Sequence, residues 1–86
     1  MTEQMIVGKT HKILVEEFEL AEPDLTADAN LYADLGLDSL DSVDLVVALE
    51  KEFGFKVNRA VDEEKIRQVR SLRDLYAFVH EKIETE

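Results

Sequence analysis

The chain has no cysteine, which excludes disulfides and thiolate metal sites and means that any thiol chemistry must use a sulfur the gene does not encode. The longest unbroken apolar stretch, Leu45 to Leu49, is five residues, far short of the roughly 18 that suggest a membrane span. Met1-Thr2-Glu3-Gln4 sets no basic patch ahead of an apolar run, so a signal peptide is not expected and a cytoplasmic location is. Catalytic constellations are missing as well. His11 and His80 stand isolated, and neither a glycine-rich phosphate loop nor metal-ligand spacing occurs, so an autonomous enzyme is not expected. Each histidine is read as an ordinary surface or helix-end residue.

Bases are scarce where acids are dense. The 86 residues hold 20 Asp and Glu against 10 Lys and Arg, a net charge of -10, which argues against a nucleic-acid backbone or an anionic membrane as partner and favours basic proteins. Residues 1 to 55 contain 13 acids and 3 bases, whereas residues 56 to 86 contain 7 of each. Between Ile13 and Glu50 lie 11 carboxylates and no Lys, Arg or His. Such a block repels itself unless packing holds it, and its plainest use is solubility. Asp34, Asp38, Asp41 and Asp44 invite a calcium reading, but the alternating ligands, central glycine and closing glutamate of an EF-hand loop are absent.

A 45% hydrophobic content suffices for one small core and one domain. Pro23 is the only proline, and no repeat or low-complexity tract appears. Ile6, Val7, Ile13, Leu14 and Phe18 recur at helical spacing and predict a first amphipathic helix from about Glu3 to Glu19, weakened at Gly8. Leu20 to Leu37 reads as a long loop, punctuated by Pro23, Asp24, Asn30 and Gly36, with Leu25, Leu31 and Leu35 as anchors to a core. A second helix starts after Gly36 with Asp38 as N-cap and Asp41 completing a capping box, and it runs to Phe53, where Gly54 stops it. A short helix is predicted around Asp62 to Arg67, and Ser71 with Asp74 caps a last helix bearing Leu72, Leu75, Tyr76 and Val79. No alternating run argues for a sheet. The expected fold is all-α: an up-and-down bundle of three main helices plus one short helix.

The second helix carries two apolar stripes. Stepping about 100° per residue puts Leu45, Val46, Ala48, Leu49 and Phe53 on one broad side and Leu40, Val43 and Val47 on the other. The first side is the core face; the second either meets a partner or lies against the preceding loop. Ser39 sits at the first helical position, where a group on its hydroxyl would meet the positive end of the helix dipole, a favourable place for phosphate. The alternative is that Ser39 merely helps to start the helix.

The run Asp34-Leu35-Gly36-Leu37-Asp38-Ser39-Leu40-Asp41-Ser42-Val43-Asp44-Leu45 closely resembles the signature of acyl carrier proteins. Similarity extends through Ala48-Leu49-Glu50, Phe53-Gly54, Glu64-Lys65-Ile66 and Val69. The resemblance implies 4′-phosphopantetheine joined to Ser39 by a phosphodiester, transferred from coenzyme A by a holo-carrier synthase (a phosphopantetheinyl transferase), with acyl chains held as thioesters on the arm's thiol. It implies a non-catalytic monomeric carrier whose partners are acyl-loading and acyl-processing enzymes with basic docking patches, in fatty acid or related biosynthesis. It further implies Leu40, Asp41, Val43, Asp44 and Val47 as docking contacts, Asp38 beside the modified serine, and an interior that opens to shelter an acyl chain.

Departures from the pattern touch the surface rather than the serine. Lys51 stands where an acid is common, Leu31 replaces a frequent phenylalanine, and Asn58 to Val61 lacks the Ile-Pro-Asp pattern. Arg67, Arg70 and Arg73 are read as helix-end charges, the alternative being a secondary contact surface. Competing functions are an aminoacyl carrier of the D-alanyl type, which shares the motif, and a cofactor-free acidic helical adaptor.

Overall fold

Thr2 starts the first helix by accepting a hydrogen bond from the Met5 N–H at 3.3 Å. The computed structural model describes residues 2–85, with side chains at all of them except 59 and 85. Helix α1 spans Glu3–Phe18 and buries Ile6, Thr10, Ile13 and Leu14 along one seam. It stops one residue before the expected Glu19, which adopts a left-handed conformation (φ 56°) and turns its N–H back to the Leu14 carbonyl.

The segment from 19 to 38 is tethered throughout. A single 3-10 turn, Glu22–Asp24, forms at Pro23, a feature the loop reading did not contain. Leu25, Ala29, Leu31, Leu35 and Leu37 are buried, so the expected anchors hold. The backbone is stitched to the head of the last helix: Leu31 N–H donates to the Arg70 carbonyl at 2.7 Å, and Leu72 N–H to the Ala29 carbonyl at 3.1 Å. These bonds form an isolated antiparallel bridge, Asn30 to Ser71.

Helix α2 spans Ser39–Phe53 and ends on Gly54, whose left-handed φ of 76° an L side chain would resist. Helix α3 spans Arg59–Gln68 and α4 spans Leu72–Thr85. The short helix begins three residues before the expected Asp62, because the Asn58 side chain caps it by accepting from the Ala60 N–H at 3.0 Å. Ser71 and Asp74 cap α4 reciprocally as expected, each accepting the other's N–H at 3.2 Å. Helix α1 packs against α2 and α4, while α3 packs against α4. Four helices and no strand among the described residues make the fold all-α.

Leu45 and Leu49 of α2 meet Ile6, Leu14, Leu72 and Val79 in the core, and Phe55 stacks on Phe53 and meets Phe78 edge-on. His11 is not the plain surface residue expected of it. Its Nδ1 lies 2.8 Å from Glu22 Oε1 and its Nε2 lies 2.5 Å from the Tyr76 hydroxyl. With a neutral imidazole, Nδ1–H donates to Glu22 and Nε2 accepts the Tyr76 proton, joining α1, the 3-10 turn and α4. Burial, reinforced by the Glu22 charge, pushes the Tyr76 hydroxyl up to about 12, so it keeps that proton at neutral pH. His80 matches its expected helix-end role, 3.0 Å from Glu84 one turn on.

Candidate functional site

A compact turn delivers the chain into α2. Asn30 Oδ1 accepts the N–H groups of Tyr32 and Ala33 at 2.9 and 2.8 Å, and Asp34 Oδ2 accepts the Asn30 N–H at 2.7 Å. Gly36 then reverses the chain at φ 72°, and Leu37 N–H closes back on the Leu31 carbonyl at 3.0 Å. Buried Leu35 and Leu37 bracket that reversal. Asp38 therefore emerges at a fixed place in an extended conformation.

Asp38 and Asp41 form the capping box that their spacing predicts. Asp38 Oδ1 accepts the Asp41 N–H at 2.9 Å, and Asp41 Oδ2 accepts the Asp38 N–H at 3.1 Å. Both carboxylates thus fix the helix start, and Asp41 is half-buried while Asp38 is exposed. Ser39 is the first residue of α2 and is exposed. Its hydroxyl has no hydrogen-bond partner among the described residues, so it is unencumbered. Ser42, three residues on, differs in kind: it is half-buried and its hydroxyl donates to the Ser39 carbonyl at 2.9 Å. The helix dipole and the uncapped N–H groups of the first turn favour negative charge at the tip.

The two stripes of α2 separate as expected. Leu45 and Leu49 are buried, whereas Leu40 is 74%, Val43 43% and Val47 43% exposed, with Asp44 exposed beside them. The second stripe is not covered by the preceding loop. Val46, expected in the core, is half-buried because it forms part of a groove.

That groove, of about 480 Å³, opens from Ser39 between α2 and α3. Val43, Val46 and Val47 line one side and Ile66 and Arg67 the other, with Glu50 and Glu63 among the charged groups. Glu50 also ties the α2–α3 connection, accepting the Val57 N–H at 2.9 Å. Sequence reasoning missed Arg67 as a groove residue and read it as a helix-end charge; in the structure it also pairs with Glu63 at 2.9 Å. The other two arginines stay outside the groove, Arg73 paired with Asp28 across the loop. Among the described residues no His, Asp and Glu side chains gather as a metal ion requires.

An exposed, unbonded hydroxyl at a capped helix tip, opening onto a groove, suits the holding of a covalent group; such a fold and site define a small helical carrier domain. Comparison with known proteins agrees. The family model described as "Phosphopantetheine attachment site" matches residues 9–79. An acyl carrier protein of Thermotoga maritima, solved by crystallography, is similar over 96% of this chain and 92% of its own, with 26% identity and a TM-score of 0.78. The chain belongs to the phosphopantetheine attachment-site family. Its domain is of the kind to which 4′-phosphopantetheine is covalently attached, and it is a non-catalytic carrier. No described helix is long and apolar enough to cross a membrane.

Proposed function

We propose that Ser39 is the residue that takes the 4′-phosphopantetheine arm and that the chain, as one carrier domain, delivers acyl intermediates to enzymes of fatty acid or a related acyl biosynthesis. The observation that carries the reading is the free Ser39 hydroxyl at the tip of α2, on the mouth of the groove. The arm supplies the thiol that a cysteine-free chain lacks and holds the acyl group as a thioester. The chain's own residues do the rest. Asp38 and Asp41 hold the helix start so that the hydroxyl stays presented, and the first turn of α2 favours the phosphodiester charge.

Leu40, Val43 and Val47 supply the apolar contact for partner enzymes, with Asp44 and Asp41 beside them. The carboxylates steer the approach of basic patches, while the desolvated stripe sets how long a complex lasts. The first partner is the phosphopantetheinyl transferase, and acyl-loading and acyl-processing enzymes follow.

Incubation with coenzyme A and a promiscuous phosphopantetheinyl transferase is expected to add one phosphopantetheine, read by intact mass. Ser39→Ala should abolish the addition and Ser42→Ala should retain it. An adduct that survives Ser39→Ala would refute the assignment.

A further inference from the structure

Helix α3 is one wall of the groove, yet little apolar surface holds it in place. Its buried anchor is charged: Asp62 is 4% exposed, and its Oδ2 accepts from Lys82 Nζ of α4 and from the Asn58 N–H, both at 3.0 Å. Lys65 and Glu81 add a second, exposed pair between the same helices. Val61 projects into solvent and Ile66 is half-buried. The Lys82 hydrogen bond, then the Asn58 N–H, holds the Asp62 carboxyl below its usual range, which keeps the pair charged at neutral pH.

Beside the groove lies a second, partly open void of about 20 Å³, lined by Leu31, Tyr32, Leu45, Val69, Leu75 and Phe78. Ser42, Val46 and Ile66 line both spaces and so stand between them. The second void has room for about one water-sized group. A chain of several methylenes needs more room than this, which Ile66 gives if it withdraws from Val46. Ile66 lies one turn beyond Asp62 on the same face of α3, so withdrawing it pulls Asp62 from Lys82 and strands a buried charge.

We propose that the Asp62–Lys82 pair is a specificity-determining latch that keeps acyl cargo in the open α2–α3 groove and out of the interior, fitting this carrier to short or polar acyl groups rather than long saturated chains. The groove suits such cargo, because Glu50, Glu63 and Arg67 share its lining with valines. The inference rests on Ser39 carrying the arm.

The test loads the full chain with acetyl, butyryl and octanoyl pantetheine from the corresponding coenzyme A thioesters, with intact mass confirming one adduct. Melting temperature and the NMR signals of Leu45, Leu75 and Phe78 are then followed. In the wild type the octanoyl form should melt no higher than the acetyl form and leave those three signals in place. In Asp62→Asn/Lys82→Met, which removes both charges, the octanoyl form should melt higher than the acetyl form and move the signals. Should that variant fold poorly, Asp62→Asn/Lys82→Gln, a second neutral pair, is read in the same way. Octanoyl-dependent shifts at Leu75 and Phe78 in the wild type would overturn the latch, as would a folded variant that still keeps the chain outside. Absence of any wild-type adduct would overturn the carrier reading beneath it, a result that mass alone distinguishes.

Discussion

Thr10 lies fully buried on the core seam of α1, and its hydroxyl meets no partner. An unpaired buried hydroxyl costs about 1–3 kcal/mol, whereas an apolar group of the same shape costs nothing comparable. Thr10→Val should therefore stabilise the protein by about 1 kcal/mol, which for a domain of this size raises Tm by roughly 4–8 °C. A thermal melt followed by circular dichroism checks it, and a lowered Tm would contradict it. Nothing in the sequence marks Thr10, since a threonine between Ile6 and Ile13 carries no sign of what its hydroxyl will meet. Ser39 was legible because its setting is local, being written by Asp38 before it and Asp41 after it. His11 was not, because Tyr76 stands 65 residues away.

Caps govern the helices in the same local way, and one of them has a pH signature. Asp74 accepts the N–H groups of Arg70 and Ser71, which hold its carboxyl below the usual 3.8. The folded state thus gives up this proton more readily than the unfolded chain. Its contribution is complete above 3.8 and drains away as the pH falls toward the folded value. Asp74→Asn should cost about 1 kcal/mol at neutral pH and progressively less in acid. Urea unfolding of both proteins across that range measures the gap; a gap that stays constant would deny the role. The starts of α2 and α4 were readable from such reciprocal caps, and the two stripes of α2 from periodicity. Helix α3 was harder, because its attachment lies in Asp62 and a lysine 20 residues on, a pairing that periodicity cannot register. The α2–α3 groove escaped for the same reason, requiring Ile66 and Arg67 to be brought opposite Val46 by the fold.

Over the whole molecule the acidic surplus acts as a collective repulsion. The protein measures 31 × 26 × 20 Å, so at 0.01 M salt, where the Debye length is about 30 Å, its carboxylates all act on one another. Of the 11 between Ile13 and Glu50, Asp28 takes part in a described ion pair, with Arg73, and Glu22 is hydrogen-bonded to the His11 imidazole. Moderate salt should accordingly raise the melting temperature. A melt unaffected by both salt and magnesium would mean that the acids are already offset.

The arrangement of that charge matters beyond its sum. Residues 56 to 86 are charge-balanced, and the two helices they form, α3 and α4, stand side by side. The surplus is consequently carried by α1, α2 and the segments joined to them. In the proposed encounter with a basic enzyme, such an uneven charge turns these elements toward the partner while the surfaces are still separated by solvent. Under that proposal, acids too far from any contact to touch a partner still help to aim Ser39.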